Sequence, residues 1–186
     1  MSAKTKQTNS AKTHHTTSNV TIKELLSKNT HSDDVDLDVS YEDEPHKRTP
    51  IEVVDAVKMN QLQNLLHDAL ISTEHVQQCA IVRRKDCSVR ASSVGFNLYH
   101  DQVQILLDSF KNPPQTREEG IYFDDRQFKC VRADKTSIYG KCENRGLILV
   151  KTLTLLVIAT YSDSMYPSVC VEAVEKLADY FKEKGK

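Results

Sequence analysis

The side chains that could hold a metal or carry acid–base and nucleophilic chemistry are seven histidines, five cysteines and 26 carboxylates, and their spacing disfavours both roles. Cys79, Cys87, Cys130, Cys142 and Cys170 form no C-x-x-C pair, so neither a zinc ribbon nor a thioredoxin-like redox site is indicated. An odd set of dispersed cysteines reads instead as reduced core thiols of a reducing compartment. His67, His75 and His100 stand singly near helix ends, where histidine is ordinarily a surface residue. A nucleophile elbow, a zinc-binding helix, a P-loop and a dinucleotide turn are all missing from the sequence. Five glycines, none two apart, make a phosphate-cradling loop hard to build. Asp34, Asp36 and Asp38 imitate the opening of a calcium loop, but Val39 occupies its glycine position and Pro45 its closing glutamate position. The segment therefore reads as an acidic linker. The expectation is a protein without enzymatic activity, cofactor or metal.

Charge narrows the partners. Twenty-five basic side chains oppose 26 acidic ones for a net charge of -1, and no basic face with interleaved aromatics marks nucleic-acid binding. The compact basic cluster is Arg83, Arg84 and Lys85, at a hairpin turn, with Lys182, Lys184 and Lys186 as a second group. Such a turn is either simply solvated or an anionic headgroup site, where each cation near the surface contributes about 1 kcal/mol. The longest apolar run, LILVKTLTLLVIATY, is interrupted by Lys151 and falls short of the about 20 residues a membrane-spanning helix needs. Without a secretory signal pattern at its start, the sequence points to the cytosol.

The elements that must position these groups lie in the later part of the chain. Residues 1–57 carry 7 basic and 10 acidic side chains, leaving 18 and 16 for residues 58–186, and Tyr41 is the one aromatic residue before residue 58. The chain of 186 residues has no tryptophan. Twelve Ser/Thr among the first 32 residues, with few large apolar side chains, predict disorder there. Within that stretch TIKELL has capping-box spacing and an apolar face, either a transient turn or a partner-docking helix. The reading is a disordered polar and acidic extension, 1–57, followed by a folded domain, 58–186.

In the domain, Met59, Leu62, Leu65, Leu66, Ala69 and Leu70 form the stripe of an amphipathic helix ending near Ser72. VQQCAIVRR and CSVRASS read as two strands about a turn at Lys85 and Asp86. Asn97 is placed to cap a second helix reaching Phe110, which Asn112, Pro113 and Pro114 stop. GIYF, QFKCVRA, SIYGK, GLILVK and TLLVIAT follow as a meander of neighbours that pair antiparallel. After Pro167, Cys170, Ala173, Val174, Leu177, Tyr180 and Phe181 mark a closing helix. The expected class is α+β. An antiparallel sheet of about six to seven strands carries the terminal helices on one face and a shorter helix on the other.

This order, with MYPSVCVEAVEKLADYFKEKGK at the end, resembles the profilins. GFNLYHDQVQILLDSFKNP, EGIYFDDRQFKCVRADKTSIYGK and VKTLTLLVIATYSDSMYPSVC are similar to the divergent fourth isoform group of animals, associated with the male germ line and spermatogenesis. The resemblance covers residues 58–186. It implies a monomeric, cytoplasmic, cytoskeleton-associated binding protein with three ligands to test: actin monomer, proline-rich peptides and phosphoinositides. The family's proline-peptide groove is lined by stacked rings, because rigid rings with a polar edge grip a polyproline helix at low entropic cost. Matching positions here are Leu62, Leu65 and Arg90, with Tyr180 alone retained, which implies weak or absent proline-peptide binding. On the actin face the matches are Arg132, Ser168, Val171 and Glu172, while a short CENRG loop and the bulk of Met165 and Tyr166 imply reduced affinity. Acidic phospholipid binding needs only clustered cations, and its candidates are Arg83, Arg84, Lys85, Lys129, Arg132, Lys141, Arg145 and Lys151.

Overall fold

The computed structural model describes the backbone of residues 50–186 and the side chains from Lys58 onward. TIKELL and the acidic segment with Asp34, Asp36 and Asp38 lie outside the described residues. The elements in order are α1 (Pro50–Ala69), a single 3-10 turn (Ile71–Thr73), β1 (Gln78–Arg83), β2 (Val89–Ser92), α2 (His100–Asp108), α3 (Pro113–Glu119), β3 (Ile121–Phe123), β4 (Arg126–Ala133), β5 (Ser137–Cys142), β6 (Arg145–Lys151), β7 (Leu155–Tyr161) and α4 (Pro167–Glu183).

The strands form one seven-stranded sheet in the order β2-β1-β7-β6-β5-β4-β3, every pairing antiparallel. Strand periodicity divides its side chains between two cores. Cys79, Ile81, Ile148, Val150, Val157 and Ala159 point to one face and pack with Leu65, Leu66 and Leu70 of α1 and Val174, Leu177 and Phe181 of α4. Ala80, Val82, Leu147, Leu149, Leu156 and Ile158 point to the other, beneath Val103 and Leu106 of α2, Phe96 and Phe110. The two terminal helices thus share one face and the shorter helix covers the other. Both faces being buried explains why β6 and β7 read as nearly continuous apolar runs.

Local sequence sets the boundaries. The β3–β4 hairpin turns on Asp124 and Asp125, both with φ near the left-handed region at 50° and 55°, as a two-residue hairpin with right-handed twist requires. Gly146 permits the ring of Tyr161 to lie directly against the backbone of β6, where a Cβ would collide with it. Two local expectations change. Helix α2 starts at His100 behind Tyr99, whose N–H donates to Gln102 Oε1 at 3.2 Å, so Asn97 is not its cap. Asn112-Pro113-Pro114 does more than stop α2: Asn112 caps α3 and the prolines fill its first positions, where no N–H is needed.

Candidate functional site

The groove region comes first. Leu65 is buried, and Leu62 and Tyr180 are half-buried against the same core beneath α1 and α4. Arg90 occupies an irregularity of β2: Ile81 pairs with Ala91 and Val82 with Val89, leaving Arg90 as the extra residue of a bulge. Leu62, Leu65 and Tyr180 thus all belong to the core that the two terminal helices form against the sheet, while Arg90 lies apart on β2. Tyr180 is itself engaged, with Lys184 Nζ 5.7 Å from its ring centroid and Phe181 at 5.7 Å.

The second surface lies on the exposed side of β4 and β5 beside α4. Arg132 pairs with Asp134 at 2.9 Å and lies over the Tyr139 ring at 5.4 Å. Tyr139 OH and Ser137 Oγ both donate to Glu175 Oε1, at 2.5 and 2.6 Å. Burial, reinforced by the Glu175 carboxylate, pushes the Tyr139 phenol up to about 12, so it remains a donor at neutral pH. Asp134 holds the β4–β5 turn. Burial alone would raise its pKa, but the N–H groups of Thr136 and Ser137, the Thr136 hydroxyl and Arg132 together lower it to about 2. Ser168 and Glu172 are exposed nearer the start of α4, Glu172 paired with Lys176 at 2.7 Å, and Val171 is half-buried against the core. The sequence singled out Arg132, Ser168, Val171 and Glu172 on this face but not Ser137, Tyr139 and Glu175, which pack and bond beside Arg132. The strand alternation of Ser137 and Tyr139, and the helical spacing of Glu175 from Val171 and Glu172, were the available signals.

The proposed headgroup cations separate into three places. Arg83 forks onto Asp86, with Nε–Oδ1 at 2.9 Å, while Lys85 stays exposed at the same turn. Arg84 reaches across to the β6–β7 turn: Nη1 donates to the carbonyls of Thr152 at 2.7 Å and Leu153 at 2.6 Å, and its backbone N–H to Thr154 at 2.9 Å. Lys151, at the end of β6, lies over the Phe110 ring at 4.8 Å, and burial together with the Arg84 charge lowers its pKa. Arg84 and Lys151 line one cavity of about 300 Å³ with Lys111, Asp108, Gln104 and Phe110. Lys129 and Lys141 are direct cross-strand partners on β4 and β5, apart from that cavity. Arg145 begins β6, at the opposite end of the strand from Lys151, and lines a polar cleft with Glu143, Asp163 and Ser164. Arg83, Arg84, Lys85 and Lys151 thus form one basic end of the molecule, which Lys129, Lys141 and Arg145 do not join. Sequence reasoning missed Lys111 and Leu153 there. Leu153 protrudes at 73% exposure, and its N–H donates to the carbonyl of Lys186 at 3.2 Å, bringing the C-terminal lysine to the same end.

The five cysteines are free thiols. Burial lifts those of Cys79 and Cys170 to about 12, which fits packing rather than reactivity. Among the described residues no cluster of metal-ligating side chains occurs, and no helix is long and apolar enough to cross a membrane.

Known proteins match this chain over the same region. The family model described as Profilin matches residues 60–186. Profilin-4 of Bos taurus is 51% identical over 128 residues, covering 68% of this chain and 99% of that protein. Profilin-4 of Mus musculus is 49% identical over the same length, with the same shares covered. The solved structure of Schizosaccharomyces pombe profilin aligns with a TM-score of 0.62 at 33% identity, covering 67% of this chain and 98% of the other.

Proposed function

The chain belongs to the profilin family of non-enzymatic, actin-binding cytoskeletal regulators, and we propose that this member acts at acidic phospholipid surfaces in the cytoplasm, with its actin and proline-peptide contacts reduced or lost. The observation that carries the reading is the basic end, where Arg84 and Lys151 meet in one cavity beside Lys111, with Lys85 exposed at the adjoining turn. Cations so placed each contribute about 1 kcal/mol at an anionic bilayer. The loss of the proline-peptide contact is argued from Leu62 and Leu65, which offer no rigid ring face and no polar edge, and from the absence of tryptophan.

Conventional actin-monomer binding is the second reading, and it is favoured by the ordered Arg132–Tyr139–Glu175 array beside Ser168, Val171 and Glu172. Against it stand Tyr166, 67% exposed at the entry to α4, and the two-residue β5–β6 turn at Glu143 and Asn144, which alter the shape of that face. Residues 1–57 form, in this proposal, a polar extension whose last residues, 50–57, run into α1, with TIKELL available as a docking segment for a third, scaffolding role.

Co-sedimentation of the full chain with phosphatidylcholine vesicles of graded acidic-lipid content, run beside pyrene-actin assembly and polyproline titration, tests the reading. Vesicle binding should rise with acidic fraction and fall with salt, while equimolar protein leaves actin assembly unchanged and polyproline unbound at micromolar concentration. Slowed assembly without vesicle binding would favour the second reading, and inactivity in both assays would exclude both.

A further inference from the structure

The basic end carries more positive charge than the domain around it neutralises. Three acids there already have partners: Asp86 accepts from Arg83 Nε at 2.9 Å, Asp108 holds Lys111 at 2.7 Å and Asp179 holds Lys182 at 2.9 Å. Lys85, Arg90, Lys151 and Lys184 are in no ion pair among the described residues. Lys184 closes α4, and the bond from the Leu153 N–H to the Lys186 carbonyl at 3.2 Å holds that end of the helix against the β6–β7 turn. A matching excess of negative charge lies just upstream of the domain. Residues 33–44 hold seven carboxylates and no base. Val35, Leu37 and Val39 alternate there with Asp34, Asp36 and Asp38, so an extended backbone would set three carboxylates in a row about 7 Å apart on one side.

Helix α1 brings this segment to the basic end. The residues that follow α1 lie at the start of α4, where the His75 ring meets that of Tyr166 at 5.0 Å, and Gln63 is bonded to Ser92 of β2. The earlier turns of α1 therefore lead back along β2, away from the start of α4 and toward the end where α4 finishes. From Gln63 back to Pro50 the helix covers about 20 Å. Residues 45–49 add at most about 17 Å, and residues 33–44 span up to about 40 Å when extended. That is ample to return across the β1–β2 turn, because Lys85 lies at most about 25 Å along the chain from Ser92.

We propose that residues 33–44 dock on the basic end of their own chain, their carboxylates meeting Lys85, Arg90 and Lys184, and that an anionic surface must displace them to reach it. The docking stands on charge and reach alone; its displacement rests on the acidic-lipid reading above. Carbodiimide coupling of carboxylates to lysine amines in the full chain tests the contact, with mass spectrometry locating the links. A mixture of isotopically light and heavy protein separates links within one chain from links between copies. Residues 33–44 should link within the chain to Lys85 and Lys184 about fivefold more often than to the exposed but remote Lys129 and Lys141, and about 0.5 M salt should remove the preference. In the full-length variant D33N/D34N/D36N/D38N/E42Q/D43N/E44Q, amide exchange should quicken at the β1–β2 and β6–β7 turns and stay unchanged at the β4–β5 turn. Links spread evenly over the four lysines, or exchange unaltered in the variant, would overturn the docking. Links mainly between copies would overturn its intramolecular form in favour of a second copy as the occupant. Saturating acidic phosphatidylcholine/phosphatidylserine vesicles should erase the links; links that persist in vesicle-bound protein would overturn the displacement. Links that form in a protein binding no acidic vesicle would uphold the docking and overturn the acidic-lipid reading instead.

Discussion

Asp134 makes four hydrogen bonds or ion contacts within the β4–β5 turn and beside it, to the N–H groups of Thr136 and Ser137, the Thr136 hydroxyl and Arg132. Its folded pKa of about 2 lies below its ordinary value of 3.8. Since folding depresses the value, the charged form is favoured in the native state, and the resulting stability is complete above about pH 4 and lost as pH falls through about 2. D134N should lower the urea midpoint by a constant amount between neutral pH and about pH 5, and that difference should shrink between about pH 4 and pH 2. A difference independent of pH over that range would show that the turn owes nothing to the ionised carboxylate. Arg132, which the sequence offered as a contact residue, is thus also a structural partner of this turn and of Tyr139. The sequence could not reveal the double role, because the pairing depends on a register shift between Cys130 and Arg132 that no local pattern announces.

At the scale of elements, the edge strand β2 is protected by a side chain of α1. Gln63 Nε2 donates to the Ser92 carbonyl at 2.7 Å and Gln63 Oε1 accepts from the Ser92 N–H at 3.2 Å, so an otherwise open edge is paired. Gln63→Ala should cost about 1 kcal/mol and accelerate amide exchange at Ser92; unchanged exchange there would mean the bond pair does not hold the edge. Strands β3 to β7 were legible because five apolar segments are separated by turn residues, and the closing helix because its stripe keeps the helical period without interruption. Helix α3 was not legible. Asn-Pro-Pro serves equally as a stop and as a cap followed by N-terminal prolines, and PPQTREE has too little apolar content to distinguish the two. Asn97 was a plausible cap by residue type, yet the chain enters α2 through Tyr99 and uses the Gln102 side chain to satisfy the free N–H.

Across the whole molecule the small net charge of -1 conceals an asymmetric distribution. The run Arg83-Arg84-Lys85 was visible locally, but its meaning depends on residues remote in sequence: Arg84 bonds to carbonyls 68 and 69 positions away, and Lys151 and Lys111 arrive on other elements. Conversely, Lys129, Lys141 and Arg145 carry the same charge but lie on other parts of the sheet. The loss of the proline-peptide groove is read from residue types at Leu62, Leu65 and Arg90, which lie on α1 and at the β2 bulge, and it stays part of the proposal. In the proposed function the basic end, and not the groove between the terminal helices, meets the ligand. Hydrogen–deuterium exchange of the full chain with and without acidic vesicles locates that contact directly. Protection should be confined to the β1–β2 turn, the end of α2 and the β6–β7 turn around Leu153; protection along α1 and α4 near Leu62 and Tyr180, with none at Arg84, would contradict a contact at the basic end.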